Sequence, residues 1–381
     1  MEHTGKQLNS EIKTEFNQKI YYLKIYLDEI VIGIQLNDLI YYNWILKYFQ
    51  NYFNEITCYK EEYKYDKDII NIEVYNYNDL IALRNQVLND NNYIPEIITY
   101  HSYFSSNRKC EHEYCVINDI NGESKKIIVF IPNKCEEAKY TVIRIIRNIL
   151  IHLSCNSGLL YLHAAAVEKN GSGIAIVGNK YAGKTTTLIN LITYGDCSFI
   201  TNDKLLLNGC KETYIYGLPI SIGIRSGTIL KNKILFDKIW FNRRKFEHYL
   251  CQRELDGLDS EEEYIKYLKE NLGKIFLLPY ELCNLLDTNI VSKSPLKIII
   301  IPEYNINCVK PEINKVSKKE SQKVIENNVL EYDGFRNKIL NNNKTIIAKF
   351  LDSVEVFKIE YNENLVKSLI EIVDNLLKSN L

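Results

Sequence analysis

Apolar and polar positions change period several times along the chain, and each change marks a predicted element. From Ile20 to Gly33, IYYLKIYLDEIVIG alternates at the two-residue period of a strand or hairpin, and LIYYNWILKYFQNYF from Leu39 has helical spacing. Two further runs, DIINIEVYNY and KKIIVFIPN, read as strands, so the first part of the chain is expected to be α+β. No catalytic constellation stands out there, and its stripe of Tyr and Phe reads as a core face. EEAKYTVIRIIRNILIHLSC, from Glu136 to Cys155, is helical, with acidic residues at its start where they suit the helix dipole.

The pattern then shifts. LLYLHAAAV predicts one buried strand from Leu159 to Val167 with His163 inside it, EKNGSG supplies a turn, and IAIV from Ile174 is a second strand. GKTTTLINLITY continues as a helix, and CSFITNDKLLL is a strand ended or interrupted by Thr-Asn-Asp. YIYGLPISIGIRSGTI is strand-like and rich in turn residues, and the charged stretch from Lys231 to Lys274 predicts mostly helix, clearest in EEEYIKYLKENL with its solvated face. LKIIIIPEY is another buried strand, RNKILNNNKT a surface loop, and NENLVKSLIEIVDNLL an amphipathic closing helix.

Composition narrows the picture. At 381 residues the chain exceeds what one core usually organises, so two domains are expected, and 46% hydrophobic with 25% charged residues is the range of folded soluble proteins. A net charge of -1 argues against a general nucleic-acid or anionic-membrane binder, since both lean on excess Lys and Arg. No apolar run approaches the ~20 residues of a membrane span. MEHTGKQLNSEIKTEF has neither the apolar core of a secretory signal nor a lipidation site, and the ten cysteines are scattered, which together predict a reducing cytoplasm. CEHEYC groups Cys110, His112 and Cys115 with Cys135 downstream: a zinc set by residue type, or a polar loop between strands, in a spacing that fits no standard finger.

Candidate chemistry centres on GNKYAGKTTT. Gly178, then four residues, then Gly183, Lys184 and Thr185 is the phosphate-loop pattern, with an apolar strand running in and a helix running out. Such a loop turns successive backbone N–H groups of Asn179, Lys180, Tyr181, Ala182 and Gly183 toward one point; the helix N-terminus adds its positive end. The Lys184 ammonium suits β- and γ-phosphate oxygens, the Thr185 hydroxyl suits magnesium, and Thr186 continues the wall. Phosphoryl transfer also needs a carboxylate for the metal or the nucleophile. Asp203, at the end of the next apolar strand, is the first candidate, against a turn or helix-cap reading; Glu303, after KIIII, is the second. A histidine inside an apolar strand, as His163 reads, is more often a satisfied core residue than a catalytic one.

LHAAAVEKNGSGIAIVGNKYAGKTTTLINLITYGDCSFITND resembles the catalytic core of the HPr kinase/phosphorylase family and the related kinases of peptide-modification clusters. The shared order is a His-bearing strand, a Gly-containing turn, a second strand, the phosphate loop, a helix ending in Gly195, and a strand ending in acids. The resemblance implies an α/β fold, with an α+β N-terminal domain over residues 1–140 and, over 141–381, a P-loop kinase domain of the HPr kinase C-terminal or PEP-carboxykinase-like type. It implies ATP, with GTP also admitted, held by the loop; magnesium served by Thr185 and Asp203; and Asp203, His163 and Lys184 as the catalytic group, His163 neutralising charge near the transferred phosphoryl. Where the family has two aspartates this chain has Asn202 and Asp203, displaced by one residue, and Asn cannot take a proton as a carboxylate can. YGLPISIGIRSGT, with Gly217, Pro219 and Arg225, is similar to the segment after the acids, which makes Arg225, with Asn202, a substrate-side candidate or else a surface Arg.

The implied activity is transfer of the γ-phosphate to a Ser or Thr hydroxyl of a peptide or protein, in a chain that assembles as a homo-oligomer by family analogy. Residues 1–140 would then position the acceptor or serve assembly. A weakly hydrolysing nucleotide switch or assembly module, kept open by Asn202, is the main alternative. An energy-coupling P-loop ATPase is another, although IIIIPE is its best substitute for a strand ending in paired acids.

Overall fold

The computed structural model describes residues 21–27, 29–49, 52–53, 56–59, 70–76, 96–100, 103–105, 108–110, 114–119, 126–131, 136–209, 212–248, 251, 255–270, 273–330 and 343–379. The chain divides into two compact units, residues 1–150 and 151–381, and its fold is mixed α/β, a smaller sheet in the first unit and a larger mixed one in the second.

In the first unit the elements are β1 (Tyr21–Leu27), β2 (Ile30–Leu36), α1 (Leu39–Phe49), β3 (Ile56–Tyr59), β4 (Ile70–Asn76), β5 (Glu96–Tyr100), β6 (Tyr103–Ser105), β7 (Arg108–Cys110), β8 (Tyr114–Asp119) and β9 (Lys126–Ile131). Seven strands form one sheet in the order β3-β1-β2-β4-β9-β8-β5. The Ile20–Gly33 run is thus a hairpin, its apolar alternation burying Leu23, Ile25, Ile32 and Ile34. α1 packs Ile45, Tyr48 and Phe49 inward, as its helical spacing requires. His112 of the CEHEYC group and Cys135 downstream lie outside the described residues.

α2 (Glu136–Asn156) carries the chain into the second unit. There follow β10 (Leu160–Leu162), β11 (Ala164–Lys169), β12 (Ser172–Val177), α3 (Lys184–Gly195), β13 (Ser198–Thr201), β14 (Leu205–Leu207), β15 (Tyr214–Gly217), β16 (Ile222–Arg225), α4 (Ser226–Lys231), α5 (Lys233–Asn242), α6 (Glu261–Glu270), β17 (Lys274–Leu277), α7 (Pro279–Leu286), β18 (Lys293–Tyr304), β19 (Glu312–Lys315), α8 (Lys318–Glu326), α9 (Asn343–Phe350), β20 (Glu355–Tyr361) and α10 (Val366–Ser379). The main sheet runs β10-β14-β15-β18-β12-β11-β13, with β20 beside the second half of β18 and β19 beside β20. β12 pairs in parallel with β18 and antiparallel with β11. Every residue of β12 is buried, which is why its run is continuously apolar and not alternating.

One face of this sheet, through Ala164, Ala166, Val177 and Ile299, packs on Ile325 of α8 and on Ile347 and Phe350 of α9. On the other, α3 lies against β11 and β12 and is covered by α10. α10 buries Leu369, Val373 and Leu377, one per turn, and Lys169 at the end of β11 ion-pairs with its Asp374. Each such fully buried aliphatic side chain contributes about 1.5–3 kcal/mol.

Two expectations are corrected. The Leu159–Val167 run is two strands, because β10 pairs with β14 while β11 pairs with β12 and β13, and His163 sits at the break between the ladders. Among its described residues the charged stretch from Lys231 to Lys274 is mostly helical, as expected, through α5 and α6, and β17 opens at Lys274. RNKILNNNKT is described only at its end, where Asn343 to Thr345 open α9 instead of a loop. α7 and α8 are not among the elements expected from the sequence; both are short, and α7 begins at Pro279.

Candidate functional site

Strand register sets this site. Ala164 of β11 lies opposite Val177, the last residue of β12, so His163 meets the start of the Gly178 loop. Ala166 lies opposite Thr201, the last residue of β13, so the chain beyond Thr201 runs back toward the same edge. Residues 40 apart in sequence therefore meet, and His163 Nε2 is 2.9 Å from Asp203 Oδ1.

The loop itself bridges β12 and α3. Ala182 donates its backbone N–H to Asn179 O at 3.1 Å, and Thr187 N–H to Gly183 O at 2.8 Å begins the helical ladder. The N–H groups before Thr187 at the helix start have no acceptor within the helix, the arrangement that receives anions. Gly183 caps α3 with φ 94, a left-handed conformation that a side chain would strain. Tyr181 adopts φ 72 without being glycine, and it is 72% exposed at the tip of the loop. Gly195 is the last residue of α3, but the left-handed turn after it is made by Asp196, φ 53. A Cβ on Gly195 would stand 3.0 Å from Ile370 Cδ1, so close packing on α10 accounts for this glycine.

Lys184 is buried and lies across the loop, donating to Gly178 O at 2.6 Å and Asn179 O at 3.2 Å. Burial pulls its ammonium below the usual lysine range, and the Asp203 charge opposes that shift. Asp203 is held below the ordinary carboxylate range, first by the hydrogen bond from His163; burial works the other way, and the charges of His163, Lys204 and Lys274 add to the lowering. Such a carboxylate is a ready ligand for a hard cation and a poor proton acceptor at neutral pH. Asn202 is buried beside it, and its Oδ1 has no hydrogen-bond partner. Thr186 Oγ1 is 2.8 Å from Thr228 Oγ1, which ties the loop helix to α4.

Arg225, the last residue of β16, stacks its guanidinium on Tyr181, Cζ 4.7 Å from the ring centroid, with Lys180 Nζ 5.2 Å from the same ring. Of the sequence-derived candidates, the structure thus gathers His163, Lys184, Asn202, Asp203 and Arg225 about one loop. Glu303 lies on its other flank. β18 is paired in parallel with β12 up to Ile300 and runs on past the loop, so Glu303 borders a cavity of about 710 Å³ walled by Gly178–Ala182, Tyr304, Glu320, Asn328 and Glu360. Its carboxylate is ion-paired with Lys358 at 2.7 Å. Lys204 and Lys274 were not singled out from the sequence. Lys204 adjoins Asp203 and was open to inspection, whereas Lys274 begins a strand after a long charged stretch and carries no local signal.

No family model matches the chain, and no curated protein does. Among solved structures, the chain is similar to the HPr(Ser) kinase/phosphatase from Coxiella burnetii, at 12% identity and a TM-score of 0.25, over 57% of this chain and 94% of that one. That likeness is too weak to support an argument about residues, so the case for a function rests on the geometry of the site.

Proposed function

We propose that the second unit is a nucleotide-dependent phosphotransferase that passes the γ-phosphate of ATP to a hydroxyl, on a Ser or Thr of a peptide or protein. The observation that carries this reading is the convergence of the Asp203–His163 pair, 2.9 Å apart, and Arg225 on the Gly178–Thr187 loop, whose Lys184 feels the Asp203 charge. A loop that only bound phosphate would not need a carboxylate and an imidazole beside its lysine.

The residues suit magnesium: Thr185, in the first turn of α3, offers a hydroxyl, Asp203 offers an oxygen kept ionised, and both are the hard donors that ion takes. A bound magnesium ion supplies charge neutralisation for the terminal phosphates. The chain's own part is positioning. The first-turn N–H groups of α3 and Lys184 would cradle phosphate oxygens, and His163 would orient Asp203 and hold a hydrogen-bonded position beside the transferred group. Because Asp203 is a poor proton acceptor, the acceptor oxygen would attack the γ-phosphorus mainly through placement and charge neutralisation as the bond to ADP breaks, its proton leaving late to an oxygen of the transferred phosphoryl group.

The second reading, a nucleotide-binding switch with slow turnover, is favoured by the same low basicity of Asp203 and by Asn202 in place of a second acid. Incubation with γ-labelled ATP, magnesium and host lysate, beside Lys184→Ala and Asp203→Asn variants, separates the two. Label on a discrete peptide or protein with wild type alone is the kinase outcome. Tight nucleotide binding without transfer to any acceptor is the switch outcome and sinks the first reading.

A further inference from the structure

The strands beside the phosphate loop outrun their own core. On one face of the sheet Ile299 of β18 and Val356 of β20 are paired neighbours, buried in one cluster with Ile325 of α8. Two residues further on, the same face carries Ile301 beside Lys358, and two further still Glu303 beside Glu360. Glu360 is in turn opposite Glu312 of β19, so three adjacent strands place three glutamates in one row. Like charges set directly opposite each other destabilise a sheet. Lys358 offsets Glu303, whereas Glu360 receives a hydrogen bond from the Asn305 amide, which leaves its charge in place.

Glu303 and Glu360 stand in the wall of the cavity of about 710 Å³ beside the loop, and the partly buried Ile301, Val316 and Val324, where the core gives out, line it as well. Glu320 of α8 adds a further carboxylate. Of the lysines in the wall, Lys358 is paired with Glu303, and Lys180 stands over the Tyr181 ring. The cavity adjoins both parts of the site already described. Gly178–Ala182 belong to its wall, and so does the buried Asn328, whose carbonyl accepts the backbone N–H of His163 at 2.8 Å.

We infer that this cavity seats the acceptor segment and selects one with a lysine or arginine about three residues from the Ser or Thr that takes the phosphate, an inference that rests on the transfer reading above. Position argues for the acceptor, because an occupant lies against both the phosphate loop and the residue that anchors His163. Charge argues for its chemistry. Glu320 and Glu360 repel a phosphate chain, and an uncharged nucleoside leaves the glutamate row as it is, whereas an ammonium or guanidinium beside Glu360 relieves it. Size sets the spacing: a cavity of about 710 Å³ is on the order of 9 Å across, about three residues of extended chain. The pocket holds the acceptor and takes no part in the bonds that form and break, so it acts on the acceptor KM and not on kcat.

The experiment uses Ser peptides in a neutral Ala and Gly background, each carrying Lys, Gln or Glu at one position within about four residues of the Ser. They are phosphorylated with γ-labelled ATP and magnesium by the full-length chain as wild type, Glu360→Gln and Glu360→Lys, with host lysate as a parallel acceptor and ATP affinity measured by calorimetry. At the favoured position wild type is expected to show a KM about tenfold lower for Lys than for Gln, the effect of one charge-assisted contact, with kcat within about twofold. Glu360→Gln should abolish that preference and leave ATP affinity within about twofold. Glu360→Lys should turn the preference toward the Glu peptides, a result that a misfolded protein cannot give. Equal use of the Lys, Gln and Glu peptides by wild type, or a preference that survives Glu360→Gln, overturns the acceptor pocket and leaves the transfer reading standing. Label on lysate protein with none on any peptide does the same. Nucleotide binding with no label on peptide or lysate overturns both.

Discussion

The two flanks of the Gly178 loop carry the same kind of residue in different company. On one, Asp203 follows β13 and meets His163; on the other, Glu303 ends β18 and meets Lys358. Asp203 stands just past its apolar strand and Glu303 one residue before the end of its own, and both are about half exposed, 49% and 48%. Their partners decide what they can do. Lys358 pairs its ammonium directly with Glu303, whereas His163 hydrogen-bonds Asp203 and favours its ionised form. The charges of Lys204 and Lys274 also favour the ionised form of Asp203, and its own charge acts on Lys184. A strand-end acid is therefore a weak criterion by itself, and the charge of its nearest neighbour is the stronger one.

The largest effect is expected at the lysine of the loop. Lys184→Ala removes two hydrogen bonds that close the loop and the cation that faces the phosphates, so nucleotide affinity should fall about 100-fold or more, measured by calorimetry, and transfer should vanish. Asp203→Asn comes next. It keeps the shape but not the charge, and transfer is expected to drop about 10²–10³-fold with nucleotide affinity less affected. Retention of transfer in that variant would remove Asp203 from the site. The same substitution has a pH signature. A carboxylate held low in the folded state stabilises the fold fully above its ordinary range, near pH ~4, and loses that contribution as acid takes the pH down through its lowered value. Acid titration of stability should accordingly be shallower in Asp203→Asn than in wild type.

How far the sequence discloses this site depends on how local each feature is. The strand, loop and helix from Ile174 to Tyr194 are written in consecutive residues, as is the strand before Asn202 and Asp203, and these elements form as expected. The break at His163 is not local, because it arises where β10 leaves for β14 and β11 turns to β12, pairings that one apolar run cannot announce. Nor is the rank order of Asp203 over Glu303 fully local: Lys358, which neutralises Glu303, lies on β20, a strand that was not expected from the sequence. Lys274 is least legible of all. A lysine after a charged stretch reads as solvated surface, and only the pairing of β16 with β17 sets it against Arg225 and over Gly223.

His163→Gln tests what the imidazole adds. Glutamine can still donate to Asp203 but cannot carry charge, so transfer should fall about tenfold, between the Asp203 effect and none, with ATP affinity nearly unchanged. Glu303→Gln should do least. The Glu303–Lys358 pair is exposed on both sides, and surface pairs contribute about 0–1 kcal/mol, so melting should shift little. Freed Lys358 adds a cation to the wall of the cavity beside Gly178–Ala182, which slightly favours the phosphates if it has any effect. Transfer within about twofold of wild type is therefore expected, measured at saturating ATP so that the small change in binding does not enter. A loss comparable to that of Asp203→Asn would mean that the charged partner does not silence Glu303, and the distinction between the two flanks would fall with it.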